Sequence, residues 1–344
     1  MRVMVTGANG HIGSNLLREL LSRDHEVVPF VRESSNKAGI EALGLDYAFG
    51  DIRDATAIEK AADGCDAIIN LAAVYALGGT VEEIVEPAVQ GITNVLKAAD
   101  KHGIGRVVHT SSVVAIGGSM TAEPRNASHW NEDASDPYTV AKTESERRAR
   151  QIAEELGVAL VCINPAGIVG RHDYRITPSN RAIINFAEGT SITFVGGNDY
   201  VDVRDVAWLH AEALTVGEPG GRYIAGGPNL TMVDLAGKIQ AFSGSSNTHY
   251  GLPRWAMLPL SSVLEGTAKL FGSEPIARRG VVQDFYNRYY WFDTSETQKV
   301  FNWTPRPADE LLRDTLAWLV HREALAPATL DAVREALGDL PDFS

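Results

Sequence analysis

Residues 3–13 read Val3-Met4-Val5-Thr6-Gly7-Ala8-Asn9-Gly10-His11-Ile12-Gly13, and this stretch decides the fold. A short apolar strand runs into three glycines spaced three apart, and the leucines of residues 14–21 then fall on one helical face. A strand, a glycine turn and a helix N-terminus together hold a dinucleotide pyrophosphate on backbone N–H groups and on the helix dipole. The sequence therefore predicts a dinucleotide-binding turn rather than an ordinary structural turn.

Each glycine of this turn has its own steric purpose. Gly7 lets the chain turn sharply, Gly10 lets backbone approach a phosphate, and Gly13 lets the helix pack closely on the strand. We expect cofactor contacts along the whole turn, including Asn9, His11 and Ile12.

The end of the second predicted strand, residues 26–31, indicates which cofactor binds. Arg32 stands just past this strand, 19 residues after Gly13, where the adenosine ribose is recognised. At this place an acidic residue takes the 2′-hydroxyl of NAD, whereas an arginine accommodates the 2′-phosphate of NADP. Arg32 therefore favours NADP(H). Two alternatives remain open. Arg32 could be a solvated loop charge with no role in binding, and the adjacent Glu33 could bind the ribose of NAD(H) instead.

Strands and helices continue to alternate after this point. Strands are predicted at residues 46–49 and 66–71 and a helix at residues 55–62, a pattern typical of parallel βαβ units. The predicted fold class is therefore α/β, a doubly wound parallel sheet with helices on both faces. A long helix over residues 81–102 follows, with Pro87 expected to kink it.

Ligands of such sheets bind at the carboxyl ends of the strands. Residues that follow two of the predicted strands are accordingly expected to bind the cofactor: Asp51, Ile52, Leu71, Ala72 and Ala73. Asp51 would accept from the adenine amino group, or else cap the helix that starts near Asp54.

Composition excludes several classes of function. The 344 residues are 44% hydrophobic, and a net charge of −13 argues against nucleic acid or an anionic membrane surface as the main partner. Cys65 and Cys162 form no disulfide framework, and the nine histidines show no metal-ligand spacing, so no metal is expected. Because the N-terminus has no signal-peptide pattern and no apolar run is long enough to span a bilayer, we expect a cytoplasmic protein.

The candidate chemistry lies in Tyr138-Thr139-Val140-Ala141-Lys142, which opens a predicted helix after Asp136-Pro137. Positions i and i+4 share a helix face, so the phenol and the ammonium point into one pocket. A tyrosine is a poor proton donor or base at neutral pH, and a cation held nearby favours its phenolate. Lys142 would also orient the cofactor ribose. Taken alone, such a pair is more often a surface pair, but Ser112 lies 26 residues upstream at the end of another strand.

With these features together, the sequence resembles the extended short-chain dehydrogenase/reductase superfamily, the NAD-dependent epimerase/dehydratase family. Within it, the chain resembles the branch of dihydroflavonol reductases and 3β-hydroxysteroid dehydrogenases. The likeness covers nearly the whole chain and is carried by residues 6–13 (TGANGHIG), 71–73 (LAA), 109–112 (HTSS), 138–142 (YTVAK), 164–170 (NPAGIVG) and 200–207 (YVDVRDVA).

The resemblance implies a Rossmann sheet and a role for each catalytic residue. Ser112 would hold the substrate oxygen, Tyr138 would transfer the proton, and Lys142 would bind the nicotinamide ribose. The segment from Pro165 to Ile168 would lie against the nicotinamide. These roles imply hydride transfer between the nicotinamide ring and a carbonyl carbon.

Two departures from the family pattern narrow the reaction. Sugar epimerases and dehydratases often carry Asn before Val in the fourth helix and Val-Tyr-Gly soon after the serine, whereas this chain has residues 87–91 (PAVQG) and 113–118 (VVAIGG). Dehydratases also need an acid beside the serine, and Val113 and Val114 supply none. Simple reduction or oxidation is therefore favoured.

The second half is expected to cover the substrate. We predict a dinucleotide-binding domain over residues 1–170, to which parts of 200–230 return, and a smaller, mostly C-terminal substrate-binding lobe over residues 171–344. Glycine pairs such as Gly196-Gly197 are predicted to be turns. The candidate pocket residues are the segments 171–175 and 76–80, together with Tyr75, His129 and Trp130. Residues 253–290 are predicted to form one or two amphipathic helices, whose apolar face would serve as a substrate lid, a core or a dimer surface.

The sequence thus predicts an NADP(H)-dependent reductase or dehydrogenase for an apolar or aromatic ketone, aldehyde or secondary alcohol, in a chain compatible with a homodimer. One alternative is a nucleotide-sugar epimerase that retains NAD. A second, from another class, is a non-catalytic NADP-binding redox sensor, although a sensor would not need Ser112, Tyr138 and Lys142.

Overall fold

The computed structural model describes residues 1–72, 81–190, 192–245, 248–271 and 279–343. Ala73, Tyr75 and the segment 76–80 therefore lie outside the described residues. The described strands are β1 (Arg2–Thr6), β2 (Glu26–Val31), β3 (Ala48–Phe49), β4 (Ala67–Asn70), β5 (Arg106–Thr110), β6 (Ala159–Pro165), β7 (Gly167–Val169), β8 (Ile192–Phe194), β9 (Gly196–Asp202), β10 (Arg222–Ala225), β11 (Asn229–Thr231), β12 (Tyr250–Leu252) and β13 (Arg288–Tyr290).

The helices complete the alternation that the sequence predicts. They are α1 (His11–Ser22), α2 (Ala38–Glu41), α3 (Ala55–Ala62), α4 (Val81–Lys101), α5 (Pro137–Leu156), α6 (Pro178–Ala187), α7 (Val203–Glu212), α8 (Met232–Ser243), α9 (Arg254–Phe271), α10 (Arg279–Phe285), α11 (Ser295–Phe301), α12 (Ala308–His321) and α13 (Pro327–Leu337). A single 3₁₀ turn follows β5 at Val113–Ala115. None of the described helices is both long and apolar enough to cross a bilayer.

A seven-stranded sheet in the order β10-β6-β5-β4-β1-β2-β3 forms the centre, and all of its strand pairs are parallel. Strand β1 shows why both faces are buried. Val3 and Val5 pack into one core cluster with residues of α1 and α7, whereas Met4 packs into another with residues of α3, α4 and α5. Since alternate residues of a strand face opposite sides, the helices cover both faces. The doubly wound α/β fold is therefore confirmed.

The remaining elements form a smaller lobe beside the carboxyl edge of this sheet. Strand β9 pairs with β7, β11 and β13, and a separate apolar cluster around Trp318 joins α6, α8, α12 and α13. Strand β10 returns from this half of the chain to become the edge strand of the large sheet. The domain division at residue 170 stays a prediction.

The glycine pair at 196–197 corrects one expectation. Gly196 and Gly197 are not a turn but begin strand β9. A Cβ on Gly196 would lie 2.3 Å from the carbonyl oxygen of Arg288 in the neighbouring strand. A Cβ on Gly197 would lie 2.5 Å from Nε1 of Trp291 and 2.7 Å from the carbonyl oxygen of Leu230 in β11, so neighbouring chain segments leave no room for a side chain at either position.

Candidate active site

The glycine turn between β1 and α1 has the shape that a phosphate site requires. Gly7 has a φ of +66°, and a Cβ there would lie 2.9 Å from the backbone nitrogen of Ala72. A Cβ on Gly13 would lie 2.4 Å from the carbonyl oxygen of Ala8. Gly10 caps α1 without a side-chain hydrogen bond, so the N–H groups of the first helical turn stay available to an anion.

The other residues of the turn divide between cofactor cleft and scaffold. Asn9 lines the cleft, and its Nδ2 donates to the carbonyl of Asn36 at 3.1 Å. The His11 ring instead donates from Nε2 to the carbonyl of Arg171 at 3.0 Å, and burial lowers the pKa of this ring. Ile12 packs against the core. For His11 and Ile12, the backbone is the part that can contact a pyrophosphate.

A cleft of about 490 Å³ runs from this turn along the carboxyl edge of the sheet. Its lining includes half of the predicted cofactor contacts: Gly7, Asn9, Gly10, Arg32, Asp51, Ile52, Leu71 and Ala72. Arg32 and Glu33 also border an adjoining depression beside Phe49. The structure thus brings the predicted pyrophosphate and adenosine contacts to one continuous surface. It also adds an arginine that sequence reasoning did not assign to the cofactor, Arg175.

Asp51 is held by its neighbour Arg53 rather than by a helix end. The Arg53 guanidinium donates to both carboxylate oxygens at 2.8 Å, and these bonds lower the pKa of Asp51 to about 2. Asp54 is the cap of α3, accepting from the backbone N–H groups of Thr56 and Ala57. The capping alternative for Asp51 is therefore wrong.

Tyr138 and Lys142 lie where helix α5 passes the ends of β4 and β5. The Asp136 side chain caps α5 by accepting from the Tyr138 N–H at 3.0 Å, and Pro137 occupies the first helical turn. Tyr138 and Lys142 then line the same small cavity, of about 20 Å³, together with Asn70 and His109. The i, i+4 spacing thus brings both groups to one pocket.

Lys142 is a buried cation with one fixed partner. Its Nζ donates to the Thr110 carbonyl oxygen at 3.0 Å. Burial lowers the pKa of Lys142 to about 8, while the charge of Glu146 one turn further on opposes that shift. At pH 7 the ammonium form therefore predominates, by about ten to one. One N–H is committed to Thr110, and Nζ has no other hydrogen-bond partner in the part of the chain that the structure describes, so its other N–H groups can serve a ligand or Tyr138.

Ser112 follows β5, two residues after the carbonyl that binds Lys142. Its Oγ accepts from the Val114 N–H at 3.3 Å and caps the 3₁₀ turn. Asn164 on β6 fixes the Ser112 backbone by donating from Nδ2 to the carbonyl oxygen at 3.2 Å. The hydroxyl proton of Ser112 can therefore be donated to a substrate oxygen.

The two histidines near Lys142 are neutral. Asn70 donates to Nδ1 of His109 at 3.0 Å, and the Thr110 hydroxyl donates to Nε2 of His210 at 2.7 Å. Burial lowers the pKa of His109 to about 3 and that of His210 to about 4. Neither imidazole holds a second proton near neutral pH. The two imidazoles are therefore unsuited to exchanging a proton near neutral pH.

A buried carboxylate that sequence reasoning did not single out lies beneath these groups. Glu146 has no solvent exposure and accepts from the Ser111 hydroxyl at 2.5 Å, from Nδ2 of Asn164 at 2.8 Å and from Nε of Arg222 at 2.5 Å. Because Asn164 also binds the Ser112 carbonyl, Glu146 connects the serine strand end to the lysine helix. The spacing of four residues from Lys142 on the same helix is the sequence signal that could have identified this position.

Arg222 extends this network to the loop before α5. Its Nη1 donates to the carbonyl oxygens of Ala127 and His129, at 2.5 and 2.7 Å. The guanidinium also lies 3.7 Å from the centroid of the Trp130 ring. His129 and Trp130, which are candidate pocket residues in the sequence, here pack the arginine that anchors Glu146.

The segment predicted to face the nicotinamide joins the sheet to the second lobe. Pro165 ends β6 and pairs with Ala225 of β10, whereas the half-buried Ile168 in β7 pairs with Val201 of β9. Pro165 thus lies at the end of β6 and Ile168 just beyond it, on the side where β5 delivers Ser112.

Among the described residues, no group of three or more His, Cys, Asp or Glu side chains is placed to hold a metal ion.

The parallel sheet, the glycine turn and the cleft define a dinucleotide-binding α/β protein. The model of the NAD dependent epimerase/dehydratase family matches residues 3–226, and the chain belongs to that family. It is an extended short-chain dehydrogenase/reductase, in a family of NAD(P)-dependent oxidoreductases, epimerases and dehydratases.

Individual relatives extend the likeness over most of the chain. The sequence is 33% identical over 285 residues to sterol demethylase protein B of Methylococcus capsulatus, covering 81% of this chain and 83% of that protein. It is 29% identical over 323 residues to a putative dihydroflavonol 4-reductase of Synechocystis, covering 91% and 93%. The crystal structure of gox2253 superposes with a TM-score of 0.83 at 28% identity, covering 94% of this chain and 99% of that one.

Proposed function

We propose that this protein transfers a hydride between NADP(H) and a carbonyl compound or secondary alcohol, with Tyr138 as the proton donor or acceptor. The observation that carries the proposal is the shared cavity of Tyr138 and Lys142 beside the strand that delivers Ser112. The likeness to a putative dihydroflavonol 4-reductase supports reduction as the chemistry.

The residues of the cleft fit a bound dinucleotide. A Cβ on Gly7 would fill the space against Ala72, and the start of α1 offers free N–H groups. When bound, the dinucleotide supplies or accepts the hydride at its nicotinamide ring. The protein contributes the positions of the reacting groups and the proton.

In the proposed reaction, each side chain has a separate task. The Ser112 hydroxyl donates a hydrogen bond to the substrate oxygen and orients the carbonyl. The Tyr138 phenol gives its proton to that oxygen as negative charge develops on it. Lys142, fixed by Thr110, holds the nicotinamide ribose and stabilises the phenolate form of Tyr138 after the proton has been transferred. In alcohol oxidation the same residues act in reverse.

Arg32 supports NADP(H) as the cofactor. It is exposed at the end of β2 and borders both the cleft and the depression beside Phe49. The acid across from it, Asp51, is already engaged by Arg53. Arg32 is therefore available to a 2′-phosphate. Glu33 borders the same depression and is the residue that would serve NAD(H) instead.

An apolar or aromatic substrate is part of the proposal. Small apolar side chains, Ala72, Ala88 and Ala141, line the cavity beside Tyr138. These three side chains offer no hydrogen bond to a sugar hydroxyl.

The test is a panel of aromatic ketones, aliphatic ketones, secondary alcohols and nucleotide sugars, followed by nicotinamide absorbance with each cofactor. We expect turnover of a ketone with free NADPH, and a lower preference for NADPH over NADH in Arg32→Ala. Tightly bound NAD in the purified protein together with nucleotide-sugar turnover would favour the epimerase. NADPH binding without turnover of any carbonyl compound or alcohol would favour the redox sensor. Either outcome contradicts the proposal.

A further inference from the structure

One side chain of the cofactor cleft, on the loop between β7 and α6, has no role in the reaction described above. We propose that Arg175 holds the pyrophosphate of the cofactor from the second lobe, opposite the glycine turn. The inference rests on the dinucleotide occupying the cleft as in the proposed function. It adds a phosphate ligand to the backbone N–H groups at the start of α1.

The loop that carries Arg175 is fastened directly to the first turn of α1. The carbonyl oxygen of Arg171 accepts two hydrogen bonds from that turn, from Nε2 of His11 and Nδ2 of Asn15, both at 3.0 Å. The Arg171 guanidinium pairs with the buried Asp314 of α12. The two arginines of this segment therefore have different tasks: the Arg171 side chain anchors the loop, whereas the Arg175 guanidinium has no partner among the described residues.

The loop is also held in a fixed shape from within. The buried carboxylate of Asp173 accepts from the Thr177 N–H at 2.6 Å, the Thr177 hydroxyl at 2.8 Å and Nδ2 of Asn180 at 2.9 Å. His172 and Ile176 both have a φ of +56°. This left-handed conformation is unfavourable for a β-branched residue and persists only where surrounding contacts enforce it. Arg175 is thus presented from a rigid support.

The Arg175 side chain has the charge and the freedom that a phosphate ligand needs. It is exposed, and its guanidinium forms no hydrogen bond or ion pair with any described residue. It lines the cleft together with Gly7, Asn9 and Gly10. A guanidinium can donate two parallel hydrogen bonds to a phosphate, which makes it well suited to this position.

The geometry favours the pyrophosphate over the 2′-phosphate as the partner of Arg175. The loop is tied to the start of α1, next to the glycine turn where the pyrophosphate is predicted to bind. Arg32, by contrast, borders the depression beside Phe49, and Arg175 is not among the residues that line it. The two arginines are therefore assigned to the two phosphate groups at different parts of the cleft.

The experiment measures the dissociation constants of NADPH, NADH, ADP-ribose and 2′-AMP by calorimetry or competition, with no carbonyl substrate present. For Arg175→Ala we expect affinity for the three pyrophosphate ligands to fall about 10- to 100-fold. Affinity for 2′-AMP and the ratio of NADPH to NADH affinity should stay at wild-type values. Arg32→Ala should do the opposite, changing that ratio and weakening 2′-AMP.

Arg181→Ala is the matched control, since Arg181 is an exposed arginine six residues away on α6. Thermal unfolding of each variant checks that the fold is intact, and Arg175→Lys tests whether charge alone restores part of the affinity. Unchanged ADP-ribose binding in Arg175→Ala overturns the proposal, as does an altered NADPH to NADH ratio. Because these experiments measure only binding, they test the role of Arg175 separately from the proposed reduction. If the protein reduced no carbonyl compound, the binding results would still support or overturn the assignment of Arg175.

Discussion

Replacing Glu146 with glutamine removes a negative charge from the buried network beneath Lys142 and keeps the size of the side chain. The carboxylate is fully buried, and Arg222, its ion-pair partner, is nearly so. Removing one member of a buried pair leaves the other charge without compensation, which costs about 3–5 kcal/mol of stability. We therefore expect Glu146→Gln to lower the free energy of unfolding by about that amount in urea denaturation.

The same substitution should change the pH dependence of catalysis. The charge of Glu146 raises the pKa of Lys142, so its loss should move that pKa further below its value of about 8. The ammonium is present below the pKa and lost above it. The alkaline fall of kcat/KM in Glu146→Gln should accordingly begin at a lower pH than in the wild-type protein, a shift that mere loss of packing would not produce.

Two further variants make the result interpretable. Glu144→Gln removes the same charge from an exposed position on the same helix and should leave stability within about 0.5 kcal/mol of wild type. The double variant Glu146→Gln/Arg222→Met should lose less stability than the sum of its two single variants, because neither charge is then left alone. A Glu146→Gln protein with wild-type stability and an unshifted alkaline limb would refute the reasoning.

Two other predictions concern Lys142 and the glycine turn. Since burial lowers the pKa of Lys142 to about 8, activity and cofactor affinity should decline as the pH rises through that value. The variant Lys142→Arg keeps its positive charge at this pH and should bind the cofactor without this decline. A cofactor affinity of the wild-type protein that stays constant up to pH 10 would contradict the prediction for Lys142. Gly7→Ala should cost about 1–3 kcal/mol of stability and weaken NADPH binding, because φ is +66° and the new Cβ would lie 2.9 Å from the Ala72 nitrogen. Gly103 has the same φ, but a Cβ there would have no atom within 4 Å. Calorimetric unfolding of Gly7→Ala and Gly103→Ala therefore separates the cost of backbone strain from the cost of the contact with Ala72. An equal loss of stability in the two variants would contradict the steric argument.

The parallel sheet could be predicted from the sequence because its signals are local. The bounds of β2 and α3 agree with the predicted ranges 26–31 and 55–62. A run of apolar residues marks β2 in the sequence, and the N-cap residue Asp54 marks the start of α3. Strand β3 is shorter than predicted, at Ala48–Phe49. The helix α4 continues through Pro87, which the sequence marks only as a kink.

The parts that sequence could not supply depend on contacts between distant segments. Glu146 and Arg222 are 76 residues apart and become partners only when β10 returns to the edge of the sheet. Arg175 reaches the cleft only because its loop folds back on α1. Gly196 is required by the approach of β13, and nothing in its own neighbourhood distinguishes it from a turn glycine.

The central claim is that Tyr138 transfers the proton, and Tyr138→Phe tests it most directly. With the best ketone of the panel, steady-state NADPH oxidation by this variant should show kcat reduced about 10²- to 10⁴-fold. NADPH affinity, measured separately by fluorescence, should change far less, since the glycine turn and Arg32 are untouched. A Tyr138→Phe enzyme that reduces the ketone at the wild-type rate would contradict the account.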